Sequence, residues 1–264
     1  MVESIGDLLL EDPTAIYDFM SRHLQQLNNS QLNSQLRCLN LGELRAQAEF
    51  NPNDLNQLGL RLYETIVSGV NLAEKSVLEI GCGRGGGAFH LWYNHSPHSY
   101  TGVDLSAHNI AFCNTMDSAP GLSFREGNAL ALDFAGQSFD IAISIEVSHH
   151  CEPFSRFLSE AKRVLKPRGV LCMRVLAQSS ELAGQLSDIA AVFPEFHYAD
   201  MTESTGRSLN ATSDSKRKLI DMVLTGELSR FRSHFYEFAA VRGSAVYNNY
   251  LYGTGRTYSI QAWA

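Results

Sequence analysis

The sequence predicts an α/β protein, a mostly parallel sheet covered by helices on both faces, and two observations carry the prediction. From Ser76 onward, short apolar runs alternate with helical stretches, the pattern of parallel strands joined by helical crossovers. Within it, Val77–Ile80 runs directly into Gly81, Gly83 and Gly86, and Phe89-His90-Leu91-Trp92 follows in helical register. A strand, a glycine turn and a helix in that order let a ligand approach the backbone and meet unpaired N–H groups at the helix start.

Taken in order, residues 1–70 read as a polar helical region. Thr14 to Leu27 has a mixed face with Ile16, Tyr17, Phe19, Met20 and Leu24, and Asn28 to Asn53, rich in Asn and Gln, reads as loops over the surface. Asp54 can cap a helix running through Leu55, Leu58, Leu60, Leu62, Tyr63, Ile66 and Val67, roughly a 3.6-residue period. The core region, 71–178, holds strands near 76–80, 99–103, 122–125, 139–145 and 169–175, the last entered through a Pro167-Arg168-Gly169 turn. Residues 179–232 hold helical segments around 180–192 and 214–229. Residues 233–264 read as two strands, Glu237–Val241 and Thr257–Trp263, with Ser244–Leu251 between them able to prolong the first. At 264 residues the chain suits one domain, 1–264, with insertions.

Composition excludes several classes. A net charge of −7 argues against broad nucleic-acid or anionic-membrane binding. No apolar run is long enough for a membrane span, and the N-terminus lacks a basic region before an apolar one. Five scattered cysteines without a C-x-x-C pair argue against structural zinc and a disulfide framework, and fit a reducing cytoplasm. No metal ligand set is predicted, and the oligomeric state is open, a homo-oligomer included.

A G-x-G-x-x-G turn alone serves NAD, FAD and S-adenosylmethionine alike. Glu79, two residues before the first glycine, sharpens the choice: a carboxylate there repels a pyrophosphate but suits a cationic ligand. Asp104, at the end of the next strand and 18 residues beyond Gly86, has the spacing of an acid that reaches a ribose diol. It could also cap the helix that starts near Ser106.

These segments, together with Glu126-Gly127-Asn128-Ala129, Ser138-Phe139-Asp140-Ile141 and Val164-Leu165-Lys166-Pro167-Arg168-Gly169, resemble the class I S-adenosylmethionine-dependent methyltransferases. The resemblance is to the small-molecule group that includes ubiquinone and menaquinone biosynthesis enzymes, and it runs from about Leu60 to Val175. It implies a Rossmann-like, seven-stranded sheet closed by a C-terminal antiparallel hairpin, with 179–232 capping the acceptor pocket; the alternative for 179–232 is a peripheral helical layer without ligand contact. It also implies S-adenosylmethionine as cofactor, bound by Glu79, Gly81, Cys82, Gly83, Asp104, Leu105, Asn109, Asn128, Ala129, Ile145 and Glu146. Asn128 stands where many relatives have an acid facing the adenine; an amide can hydrogen-bond the same ring, or it can be a plain turn residue. Cys82 reads as packing and not as a nucleophile, and Arg84 as solvent-facing or near the cofactor carboxylate.

Strand four ends in Glu146-Val147-Ser148-His149-His150, and in open α/β sheets the ligand crevice lies at such strand ends. This segment resembles sugar O-methyltransferases of natural-product pathways, which implies Glu146 beside the cofactor or acceptor, His149 as general base and His150 as second choice. One histidine could instead start the next helix. Those enzymes carry an acid near the position of Val175, and Arg174-Val175-Leu176-Ala177 has none. The expected activity is methyl transfer to a small organic acceptor, foremost O-methylation in secondary metabolism. C-methylation, N-methylation, an NAD-dependent oxidoreductase and a non-methylating adenosylmethionine-binding protein are the alternatives.

Overall fold

The computed structural model describes residues 36–264 apart from 53, 117 and 118; the helix expected over Thr14 to Leu27 lies outside the described residues. Helix α1, Leu55–Ile66, begins at Asp54, whose carboxylate accepts from the Asn56 N–H; of the expected apolar set it buries Leu58, Leu62, Tyr63 and Ile66, while Leu55 and Leu60 are half-buried. The alternating core follows: β1 (Ser76–Ile80), α2 (Gly86–His95), β2 (Ser99–Asp104), α3 (Ala107–Asn114), β3 (Leu122–Glu126), β4 (Phe139–Ile145), α4 (Phe154–Val164) and β5 (Leu165–Gln178). Then come α5 (Leu182–Val192), β6 (Glu195–Asp200), α6 (Thr202–Val223), α7 (Arg232–Phe238), α8 (Ala245–Tyr252) and β7 (Gly255–Trp263).

The seven strands lie in the order β3-β2-β1-β4-β5-β7-β6. Strands β1 to β5 pair in parallel, and β7 is antiparallel to both β5 and β6. The strand order reverses between β1 and β4, which opens a crevice beyond their carboxyl ends. Apolar side chains cover both faces. Leu78, Ile80, Phe157, Leu171 and Met173 pack in one cluster, and Leu62, Val77, Leu91, Ile143 and Cys172 in the other.

Two motifs of the sequence turn out to brace the sheet. Asp140 accepts from the Ser76 N–H at 2.9 Å and from Lys166 Nζ at 2.8 Å, tying the start of β1 to the entry of β5. At Pro167-Arg168-Gly169 the register of β4 against β5 jumps from Leu165 to Val170, with Arg168 at φ +67°.

The second strand of the C-terminal pair is not where the sequence placed it. Glu237–Val241 is the end of α7 and the turn after it, and Ser244–Leu251 forms the cap and most of helix α8; the partner of β7 is β6, Glu195–Asp200, in the stretch between the two expected helical segments. Phe235 and Val241 are buried against Ile220, Leu224 and Phe231. Packing on α6 therefore overrides the strand preference of aromatic and β-branched residues. Helix α6 also starts well before the expected 214. Its Ser/Thr-rich first half survives because Thr205 and Thr212 donate to carbonyls four residues back, while Ser208 donates to Leu41 O.

Candidate active site

A cavity of about 330 Å³ opens at the switch point between β1 and β4, a volume ordinary for a small-molecule ligand. Its floor is the glycine turn. Gly81 has φ +79°, and a Cβ there would fall 2.2 Å from Val147 Cγ2, so only glycine allows the turn to pass under the loop after β4. At the helix start, a Cβ on Gly87 would meet the Tyr63 ring at 2.0 Å.

Of the eleven residues expected to bind cofactor, Gly81, Cys82, Gly83, Asp104, Leu105, Asn109, Asn128, Ala129, Ile145 and Glu146 line this cavity. Asp104 holds its rim together. One carboxylate oxygen accepts from the Gly83 N–H at 2.8 Å; the other accepts from Ser106 N–H at 2.9 Å and Asn109 Nδ2 at 3.2 Å. The helix cap itself is Ser106, which accepts from Asn109 N–H, so Asp104 faces the cavity and does not cap. Asn128 is a turn residue as well as a lining one, its side-chain Oδ1 accepting from the Leu130 N–H at 2.8 Å. The Cys82 thiol is buried and its pKa raised by that burial, the state of a packing residue.

Glu79 is the exception. It does not line the cavity; fully buried behind it, it accepts from Tyr63 OH at 2.6 Å and Tyr100 OH at 2.9 Å. Successive strand residues point to opposite faces, and it is Ile80 that reaches the cavity. Burial pushes the Glu79 pKa up to about 7, although both tyrosine hydrogen bonds oppose the rise. A raised carboxyl pKa adds stability that is complete below the unfolded value near 4.5 and is lost as pH rises through about 7. Glu79→Gln should therefore flatten the fall in stability between pH 5 and pH 8. The parent-minus-variant difference, from urea melts at each pH, is expected to change by up to about 3 kcal/mol. Parallel pH profiles would contradict it.

The paired histidines form a 3₁₀ turn, Ser148–His150, directly after β4, with ring centroids 3.8 Å apart. His150 lines the cavity, whereas His149 does not and keeps an exposed edge. Desolvation lowers the pKa of both rings, and the neighbouring His150 lowers His149 further; the solvent at the open edge of His149 limits its shift. Both are thus neutral near pH 7, the form that can accept a proton.

Glu146, at φ +58°, accepts from the Leu41 N–H with both oxygens, at 3.1 and 3.0 Å, and pairs with Arg174 at 3.1 Å. Arg174 is fully buried and also donates to Gly42 O and Thr205 Oγ1. Burial pushes the Glu146 carboxyl up, and Arg174 and the Leu41 amide pull it back. Sequence reasoning missed this partner, although a lone arginine inside the apolar run Val170–Ala177 was a visible signal.

It also missed the segment 36–44. That stretch has no regular structure, as expected of a loop, but it crosses the site and does not stay on the surface. Arg37, Cys38, Leu39 and Asn40 line the cavity, and Leu41, Glu43 and Leu44 are buried. Side chains pin it down: Asn56 Oδ1 accepts from the Arg37 and Cys38 N–H groups, and Arg84 Nε donates to Leu36 O at 2.9 Å. Arg84 itself is 1% exposed, lies 3.6 Å above the Phe112 ring, and lines the cavity, which removes the solvent-facing reading. Among the described residues no group of three or more His, Cys, Asp or Glu side chains could hold a metal ion.

Comparison with known proteins points the same way. A family model described as a methyltransferase domain matches residues 78–173. A phthiotriol/phenolphthiotriol dimycocerosates methyltransferase of Mycobacterium leprae is 35% identical over 79% of this chain and 76% of its own length. A fatty-acid O-methyltransferase of Mycolicibacterium smegmatis is 39% identical over 44% of this chain and 43% of its own. Among solved structures, the [4+2]-cyclase SpnF superposes with a TM-score of 0.74 at 17% identity, covering 94% of each chain; that likeness concerns the fold.

Proposed function

Because the chain belongs to the class I S-adenosylmethionine-dependent methyltransferases, we propose that it methylates an oxygen of a small organic acceptor in secondary metabolism, with a histidine of the His149–His150 pair as general base. The observation that carries this reading is His150 on the wall of the cavity that Gly81, Gly83 and Asp104 also line. The name of one relative, a fatty-acid O-methyltransferase, supports oxygen over carbon as the accepting atom.

The residues present fit the cofactor. When bound, S-adenosylmethionine supplies an electrophilic methyl group on a sulfonium. Asp104 would take the ribose hydroxyls, since its carboxylate lies on the cavity wall and can accept from both. Arg84 would take the cofactor carboxylate: burial lowers its pKa only to about 10, so it stays charged. Segment 36–40 excludes water from above. His150 takes the acceptor proton as the new bond forms, a role for which a neutral imidazole is suited.

Asp104→Ala should weaken S-adenosylhomocysteine binding by about 1–3 kcal/mol, read by titration calorimetry. Unchanged affinity would remove Asp104 from cofactor recognition. The acceptor class is tested by mass spectrometry of products from S-adenosylmethionine with hydroxylated, carboxylated and carbon-nucleophile acceptors. A methyl–carbon bond in the product would replace this reading with C-methylation.

A further inference from the structure

The roof of the cofactor cavity runs from Arg37 to Asn40, and a charged residue of the cavity wall holds the chain just beyond each end. At one end the Leu41 N–H donates to both Glu146 oxygens, at 3.1 and 3.0 Å. At the other, the Leu36 carbonyl accepts from Arg84 Nε at 2.9 Å. Asn56, Arg174 and Ser208 also hold the segment, through the Arg37 and Cys38 N–H groups, Gly42 O and Leu41 O, but none of the three lines the cavity.

The two ends differ. Glu146 is already paired with Arg174, which is fully buried in β5, so that end stays tied to the sheet whatever the cavity holds. The Leu36 end depends on a group that also faces the ligand. Arg84 stands in the glycine turn between Gly83 at φ +53° and Gly85 at φ +76°, and its guanidinium carbon lies 3.6 Å from the centre of the Phe112 ring. A guanidinium is planar, with five N–H donors in one rigid fork. Once Phe112 backs the group and Nε meets Leu36 O, the direction of the whole fork is set. A carboxylate that meets the fork therefore holds Nε–H toward the roof, and a closed roof holds the fork toward the carboxylate. Coupling of this kind is reciprocal.

We infer that Arg84 makes closure of the 36–41 roof depend on the carboxylate of the bound ligand, so that the site shuts over the complete methyl donor and not over adenosine thioethers that lack its amino-acid end. The inference rests on the methyl-donor reading of this cavity and deepens it by naming the residue that decides donor selectivity. Adenosine fragments still reach Asp104, but they leave the roof able to open.

The test is amide hydrogen exchange of residues 36–44 with the protein saturated by S-adenosylhomocysteine or by 5′-methylthioadenosine, which keeps the adenosine and thioether and lacks the amino acid. In the parent, S-adenosylhomocysteine should slow exchange about 5- to 150-fold more than methylthioadenosine, the usual span of a coupling between two sites. Arg84→Met should bring that ratio to within about twofold of one. A tie that only braced the fold would speed exchange in both complexes alike and leave the ratio unchanged. Reciprocity supplies a second variant that touches no ligand. Asn56→Ala loosens the roof from α1, and should weaken S-adenosylhomocysteine by at least about fivefold while leaving methylthioadenosine within about twofold, read by calorimetry. It carries the test if Arg84→Met does not fold. Equal slowing by the two ligands in the parent, a ratio that survives Arg84→Met, or equal weakening of both ligands by Asn56→Ala would overturn the inference. Calorimetry on the parent separates the two readings. No binding of S-adenosylhomocysteine removes the donor reading and the inference with it; binding with equal slowing removes only the coupling.

Discussion

His150→Ala is expected to lower turnover on a hydroxylated acceptor by about 100- to 10,000-fold, the usual worth of a general base. S-adenosylhomocysteine affinity should stay nearly constant, because the ring lies on the wall after β4 and not among the donors and acceptors around Asp104. His149→Ala should cost less. Its ring is outside the cavity wall and acts through contact with His150. This reverses the order that the resemblance to sugar O-methyltransferases implied. On a carboxylate acceptor neither change should matter by more than a few-fold, since positioning then supplies most of the rate. Single-turnover measurements on both acceptor types distinguish these cases. Equal, small effects of both substitutions on the hydroxylated acceptor would eliminate the base.

Arg174→Met is expected to destabilise the protein by about 3–5 kcal/mol, because it strands the Glu146 carboxylate in a buried site. The guanidinium is fully buried and joins β5 to segment 36–44 and to α6 through Glu146, Gly42 and Thr205. Adding Glu146→Gln should recover part of the loss, since the buried charge that lacks a partner is then gone. Chemical denaturation of the two variants and the parent reads this directly. A loss below about 1 kcal/mol in the single variant would mean that water or another cation reaches Glu146.

The parts of the site that sequence revealed are those built from neighbours in the chain. The glycine turn, Asp104 at the end of β2 and the histidines after β4 follow from short apolar runs and the residues bordering them. Parallel strands deliver their carboxyl ends to one side of the sheet, so linear order nearly sufficed. Glu79 shows the limit. Its position before the glycines suggested a ligand contact, but strand alternation turns the side chain away, toward Tyr63 and Tyr100.

By itself the sequence determined an α/β sheet with five parallel strands and the place of the crevice, because these depend on local periodicity and turn chemistry; the methyltransferase family came from the resemblance of its motifs, in order, to that family's. Tertiary structure alone decided the rest. It made Glu195–Asp200 the partner of β7 and bent Glu237–Val241 into a helix end, where burial of Phe235 and Val241 outweighs local preference. It drew segment 36–44 over the cavity and paired Glu146 with Arg174. The Glu146–Arg174 pair joins residues 28 positions apart in sequence and the Leu41–Ser208 bond residues 167 apart. A chain's local pattern does not encode such pairings, because the hydrogen-bonding and charge partners that make them favourable exist only once the elements have packed.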